Sequence, residues 1–345
     1  MSATASPTGA APVRWGILGA ANIAMTKVIP AIQGTRHSRV VAVASRDAAK
    51  ARSAAAALGI PRAYGSYDEL IDDDEIDAIY NPLPNHLHVA WSIRAADAGK
   101  HVLCEKPIAM SADEACALRA ARDRTGVVIA EAFMVRGHPQ WLEAKRLVES
   151  GTIGELRLVS GHFSYFRRDP ADVRSRVEYG GGALLDIGCY PITMSRWLFG
   201  AEPVEVVGQI ERDPDMKVDR LASALLRFPN GQATFACAGQ LVPYQKMLVY
   251  GTTGRIEVEI PFNAPADRRC RVFVDDGSQL GGLAARPIDF DAVDQYALQA
   301  DRFVDAIRGA SEPLVSIDDA IANMAVIDAL FRSAETRTWE TPAKL

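Results

Sequence analysis

Cysteine is scarce in this chain, with Cys104, Cys116, Cys189, Cys237 and Cys270 the only five in 345 residues. Their number is odd, no pair has Cys-x-x-Cys spacing, and none clusters with the six histidines in a ligand pattern. That arithmetic excludes a disulfide scaffold, leaves no metal site to predict, and fits free thiols in a reducing compartment. Charge of one sign is not in excess either: 38 Lys and Arg stand against 43 Asp and Glu, for a net −5, and the two signs are interspersed. Without a basic face the chain has no electrostatic footprint for nucleic acid or an anionic membrane. Long apolar runs are missing too, since the longest uncharged stretch, Phe228 to Gln245, holds two Pro, one Asn and three Gln. No membrane-spanning segment is predicted from it. The opening "MSATASPTGAAP" has neither a basic start nor an apolar core, so residues 1–12 read as a disordered leader and the cytoplasm as the compartment.

What is present is an ordered alternation. Over residues 13–133, "VRWGILG", "RVVAVAS", "IDAIYNP", "KHVLCEK" and "GVVIAEA" read as strands. Ala-rich stretches between them, such as "DAAKARSAAAALG" and "SADEACALRAARDRTG", carry helical periodicity. Near-continuous apolar strands imply burial on both faces, hence a doubly wound parallel α/β domain. From residue 134 to 345 the pattern shifts to one helix, "HPQWLEAKRLVESG", and then to longer alternating strands from "GELRLVSGHFSYF" to "GRIEVEI", with helical stretches near 293–309 and 317–335. A second α/β domain with a large, mainly antiparallel open sheet is expected, one of whose faces needs a partner.

The first strand runs into "GILGAANIAMTK", the strand-to-helix context of a dinucleotide-binding turn. Gly19 takes the first glycine position of the GxGxxG frame, while Ala21 and Ala24 replace the second and third. Alanine is the smallest departure and still admits a pyrophosphate to the helix start. About 20 residues further on, where an acid would hold a ribose 2′-hydroxyl, the chain has Ser45 and Arg46, with Lys50 one helical turn later. That combination suits a 2′-phosphate and favours NADP over NAD. Asp47, next in line, is the competing carboxylate, and a plain capped helix start is the competing explanation.

"NPLPNHLH" at residues 81–88 ends the third clear strand, at the carboxyl edge where α/β sheets bind ligands. Asn85 is expected to cap the following helix, with His88 on its first turn. Residues 101–110, "HVLCEKPIAM", stop a fourth strand on Glu105, Lys106 and Pro107.

Together "GILGAANIA", "PNHLH", "AGKHVLCEKP", "EAFMVRGHPQ", "SGTIGELRLV" and "GGGALLDIGCYPI" resemble the glucose-fructose oxidoreductase, inositol dehydrogenase and MocA family over nearly the whole chain. The wording "EAFMVR" and "EYGGGALLDIGCYPI" is similar to the branch of NADP-dependent aldose dehydrogenases and dimeric dihydrodiol dehydrogenase. The resemblance implies a Rossmann domain followed by a substrate domain whose outer sheet face makes a homodimer or homotetramer. It implies that Lys106, Asp186 and Tyr190 are catalytic, that Lys106, Arg167, Asp186 and Tyr190 meet the substrate, and that the Lys106–Pro107 bond is often cis. Cofactor positions fall on Gly19, Ala20, Ala21, Asn22, Ile23, Ser45, Arg46, Lys50, Pro82, Leu83, Asn85, His88, Glu105, Lys106 and Arg136.

The chemistry agrees with those roles. Asp186 and Tyr190 are four residues apart, so a helix there turns both side chains the same way. Removing a hydride from an alcohol also requires a base, and a phenol with an ordinary pKa near 10 needs a cation such as Lys106 to act near neutrality. The expected activity is oxidation of the C1 hydroxyl of an aldose such as xylose or glucose to the lactone. The alternatives are a keto-sugar or 1,5-anhydrofructose reductase, a dihydrodiol dehydrogenase, a glucose-fructose oxidoreductase-like enzyme, and a non-catalytic NADP-binding sensor.

Overall fold

The computed structural model describes residues 11–345, so positions 1–10 of the expected leader lie outside the described residues. The chain forms two compact units. The first comprises residues 11–109, Asp113–Met134 and Asp294–Ile321; the second comprises Met110–Ala112, Val135–Val293 and Ala322–Leu345. A linear division at residue 134 therefore misses the return of 294–321 to the first unit.

The first unit holds six strands: β1 (Val13–Leu18), β2 (Ser38–Ala44), β3 (Arg62–Tyr64), β4 (Ala78–Asn81), β5 (His101–Glu105) and β6 (Ile129–Ala132). They lie in the order β3-β2-β1-β4-β5-β6, and every pair is parallel. Strand order reverses between β1 and β4, which opens a crevice at their carboxyl ends. β4 and β6 are buried along their whole length, as sandwiching between helices requires. The core includes Trp15, Ile17, Ile29 and Tyr80, and it closes on Phe303 from the returning helix Gln295–Ile307. The Trp15 and Phe303 rings stand 5.3 Å apart.

The second unit holds an eight-stranded sheet: β7 (Leu156–Phe166), β8 (Glu205–Arg212), β9 (Asp219–Phe228), β10 (Gly231–Ala238), β11 (Gln240–Gly251), β12 (Arg255–Val258), β13 (Cys270–Asp275) and β14 (Arg286–Phe290). Its order is β14-β13-β12-β11-β7-β10-β9-β8. All pairs are antiparallel except β10 with β7, which run parallel. Alternation fixes the faces, with Val159 and Phe163, Phe235 and Cys237, and Met247 and Val249 buried on one side. Strands β3, β13 and β14 are absent from the strands read in the sequence.

Candidate functional site

The crevice of the first unit begins at Gly19. Its φ of +83° lies where side chains are strained, and a Cβ there would sit 3.1 Å from Leu83 Cδ2. Its N–H donates to Ala44 O at 2.8 Å, locking the end of β1 to β2. Ala20, Ala21 and Ile23 pack on the core, and the helical chain starts at Asn22, with the Met25 N–H donating to Ala21 O at 3.0 Å. The first turns differ from the regular helix expected, because Ala24–Val28 is a π-turn that passes into the α-helix Ile29–Gly34. Such one-residue widenings concentrate at functional sites.

At the end of β2, Ser45 is buried and its Oγ accepts the Asp47 N–H at 3.2 Å. Asp47 caps the helix Ala48–Leu58, with Oδ1 accepting from Ala49 N at 2.8 Å and Lys50 N at 3.2 Å. The cap is therefore Asp47 rather than Ser45, and the carboxylate is engaged within its own helix. Arg46 is exposed, and its cation acts on the Tyr67 phenol, whose oxygen lies 3.6 Å from where a Gly19 Cβ would be. Tyr67 is itself held edge-on by Trp91 at 4.9 Å between ring centres. Sequence reasoning missed Tyr67, though Ser66 capping a short helix behind "YGSYDEL" was visible.

The β4 and β5 ends form the other lip. Asn81 donates to His88 O at 3.2 Å and Ser92 Oγ at 3.1 Å, and its own oxygen accepts the Leu83 N–H at 3.3 Å. Pro82 and Leu83 are buried there. Asn85 is not the helix cap expected of it: it opens a 3-10 turn, Asn85–Leu87, and Leu87 is the cap of His88–Asp97. His88 departs further from its expected place against a cofactor. Its ring is fully buried, with Nδ1 2.8 Å from Pro107 O and Nε2 2.6 Å from Leu83 O, so it ties two crevice segments together from behind. Burial pushes its pKa down to about 4, against the pull of the two carbonyls. Glu105 accepts a 2.6 Å hydrogen bond from Tyr80, whose phenol is held well above its usual range by burial and by that carboxylate. The Lys106 N–H reaches Glu105 Oε2 at 3.3 Å, Lys106 is half-buried, and the Lys106–Pro107 peptide is cis.

These residues fit a dinucleotide. Gly19 keeps a Cβ out of the turn, Arg46 offers a cation at its rim, and Glu105 and Lys106 bound the crevice at the β5 end.

In the second unit, Asp186 and Tyr190 lie on one helical run, but Leu184–Gly188 is again a π-turn before the α-helix Cys189–Phe199. The run starts on a buried support: Asp219 of β9 accepts the Leu184 N–H at 2.6 Å. Burial raises the Asp219 pKa to about 7 despite those backbone donors. Gly182 has φ +117°, and a Cβ there would fall 1.8 Å from Asp219 Oδ1. Tyr190 is buried between Phe163 and Phe262, with ring centres 5.6 Å and 5.2 Å away. Asp186 Oδ2 accepts from Tyr165 Oη at 2.6 Å and from Arg174 Nε at 3.1 Å. Arg174 also reaches Asp172 Oδ1 at 3.5 Å, and Asp172 pairs with Arg167. Arg168 is paired with Asp213 and Asp215. The Arg136 guanidinium lies over the Trp197 ring, 4.7 Å from its centre. Among the described residues no group of His, Cys, Asp or Glu has the arrangement of a metal site, and no helix is long and apolar enough to cross a membrane.

A six-stranded Rossmann sheet with this turn, joined to a unit bearing a carboxylate and a phenol on one helix, defines a nicotinamide-dependent oxidoreductase. Comparison with known proteins gives the family. Residues 13–133 match the oxidoreductase family with an NAD-binding Rossmann fold, and residues 141–257 match the GFO/IDH/MocA C-terminal domain. The chain belongs to the GFO/IDH/MocA family. It is 48% identical over 330 residues to an uncharacterised oxidoreductase of Rhizobium meliloti, covering 95% of this chain and 99% of that one. It is 38% identical to the NADP(+) D-xylose 1-dehydrogenase 2 of Haloferax volcanii, covering 93% and 97%. Among solved structures, a 3-ketoreductase from Actinomadura kijaniata in complex with NADP and TDP-benzene superposes with a TM-score of 0.87 at 30% identity, covering 93% and 98%. An aldose-aldose oxidoreductase from Caulobacter crescentus does so with a TM-score of 0.86 at 29% identity, covering 96% and 99%. The chain is thus an oxidoreductase whose relatives are sugar dehydrogenases and reductases.

Proposed function

We propose that the protein is an NADP-dependent dehydrogenase that oxidises the C1 hydroxyl of a free aldose, such as xylose or glucose, to the lactone. The observation that carries this reading is the charge balance around Asp186. Arg167 faces Asp172, Arg168 faces Asp213 and Asp215, and Arg174 faces Asp186 and Asp172. A diphosphate seeks cations whose charge is not already offset by carboxylates of the same protein. A neutral polyhydroxy ligand suits carboxylate and phenol acceptors, which supports a free sugar over a sugar nucleotide. The relative named as an NADP(+) D-xylose 1-dehydrogenase points the same way.

When bound, the cofactor supplies the hydride acceptor at nicotinamide C4. In this proposal Gly19 to Ile23 cradle the pyrophosphate, Ser45 and Arg46 take the 2′-phosphate, and Glu105 steadies the ribose. The engagement of Asp47 as a helix cap supports NADP over NAD, since that carboxylate is not offered to a ribose. Tyr190, acting as the phenolate, accepts the proton of the C1 hydroxyl, Lys106 supplies the cation that stabilises the reacting oxygen, and Asp186 accepts a hydrogen bond from a second sugar hydroxyl. Self-association through the outer face of the eight-stranded sheet is part of the proposal, supported by exposed Phe166, Val242 and Tyr244 at the β7 and β11 ends.

A second reading, reduction of a keto-sugar nucleotide, is favoured by the 36% identity to a dTDP-3,4-didehydro-2,6-dideoxy-alpha-D-glucose 3-reductase of Streptomyces violaceoruber. The test is a panel of free aldoses with NADP and NAD side by side, read by formation of reduced cofactor. Turnover of a free aldose with NADP preferred is expected. Silence across the panel, with oxidation of NADPH by a dTDP-keto-sugar, would replace the proposal with the second reading.

A further inference from the structure

Tyr165 and Arg174 converge on a single oxygen of Asp186, from two different directions. Tyr165 is on β7 and reaches across from the sheet; Arg174 comes from the 3-10 turn Val173–Ser175, twelve residues before Asp186. We propose that these two are positioning residues that hold Asp186 as an oriented carboxylate, and that the pairing Arg167–Asp172–Arg174 is the frame that holds Arg174 in place. The inference rests on the reading of Asp186 as the acceptor of a sugar hydroxyl.

The geometry is that of a fixed two-donor clamp. Oδ2 takes a 2.6 Å bond from a phenol and a 3.1 Å bond from a guanidinium, so rotation of the carboxylate about its Cβ–Cγ bond breaks both. Arg174 is anchored at its other side by Asp172 Oδ1, and Asp172 also accepts the backbone N–H of Arg174 at 2.9 Å. Both donors keep their protons throughout the working range. Burial and the adjacent carboxylate push the Tyr165 phenol far up, and Asp186 pushes the Arg174 guanidinium up. Asp172 on the same loop also acts on Tyr165, and Asp186 acts together with Asp219 and Cys189 on the Cys237 thiol of β10. Arg174 is a cation set directly against Asp186. Its removal therefore raises the pKa of Asp186 as well as freeing the carboxylate to turn.

The experiment compares Arg174→Ala, Arg174→Lys and Tyr165→Phe with wild type and Asp186→Asn. Two readouts are used: the pH profile of kcat/KM with the best aldose, and the titration of the Asp186 carboxyl by carbon NMR of the holoenzyme, which needs no substrate. Expected for Arg174→Ala is a KM raised about tenfold, and both the acidic limb and the Asp186 titration moved up by about one pH unit. Arg174→Lys restores most of the titration, and Tyr165→Phe gives a smaller shift in the same direction. A merely structural role would lower the melting temperature and the active fraction while leaving both titrations where they were; that result overturns the proposal. Full activity in Asp186→Asn would overturn the role of Asp186 itself, while the NMR titration would still decide whether Arg174 and Tyr165 control its charge.

Discussion

Replacing Gly182 with alanine tests how the helix carrying Asp186 and Tyr190 is held. The new Cβ would fall 1.8 Å from Asp219 Oδ1 and 2.7 Å from its Cγ, so the carboxylate must leave. Leaving abandons the buried Leu184 N–H it accepts at 2.6 Å, at a cost of about 1–3 kcal/mol for an unsatisfied donor. The φ of +117° adds strain of about 1–3 kcal/mol for any residue other than glycine. Together these give a loss of roughly 4 kcal/mol, measured as the shift in denaturant midpoint of the second unit at constant slope. In an Asp219→Ala background the collision is gone, and Gly182→Ala should then cost only the strain, about 1–3 kcal/mol. A cycle of the four proteins should therefore show a coupling of about 2 kcal/mol. Equal costs in both backgrounds, or a single variant within about 1 kcal/mol of wild type, would refute the account of the helix support.

Other predictions follow from the same reasoning. Lys106→Ala should lower kcat on the accepted sugar by about a hundredfold or more, as expected for loss of acid–base support, without changing the unfolding midpoint; unchanged turnover would remove Lys106 from the chemistry. Arg46→Ala should weaken NADP binding by at least about tenfold while leaving NAD nearly unaffected, read by cofactor titration, and parallel losses for both would place Arg46 elsewhere. His138 is buried and its pKa is depressed to about 4 from 6.5, so its neutral form is the folded one. That contribution is complete above pH 6.5 and is lost as pH falls toward 4, by about 3 kcal/mol at most. His138→Asn, which keeps an acceptor at the helix cap, should be measurably less acid-sensitive than wild type in denaturant unfolding at pH 7 and pH 4.5; identical losses for the two proteins would show that the ring is not the source.

Much of this architecture is readable in the residues, and the places where reading fails have physical causes. Five of the six parallel strands stand out because each is a short apolar run between helical stretches, while β3 has only three half-buried residues and no pattern to detect. β13 does alternate, with Cys270 and Val272 inward, but charged neighbours such as Arg271 and Asp275 disguise it as loop. The π-turns at Ala24–Val28 and Leu184–Gly188 leave no mark, since widening a helix by one residue changes the backbone and not the composition. Gly19, Lys106, Asp186 and Tyr190 announce themselves by motif. Tyr165, Arg174, Tyr80 and Asp219 do not, because their partners lie 21, 12, 25 and 35 positions away in the chain. Tyr165 shares the inward parity of Val159 and Phe163 along β7, and that was the one signal available for it.

The return of Asp294–Ile321 to the first unit bears on biosynthesis. A ribosome that has released residues 13–134 has made all six parallel strands, yet Trp15 still lacks Phe303, and Ala130 still lacks its bridge to Ser316. The nascent nucleotide-binding half must wait, with an apolar face exposed, while the intervening segment up to Val293 is translated. A fragment ending at Met134 should accordingly be sticky and poorly behaved, whereas grafting 294–321 onto it through a short linker should yield a soluble, cofactor-competent piece. Where to cut this chain is thus set by the wiring of its helices, and a boundary chosen from the linear order of motifs would cut through a core.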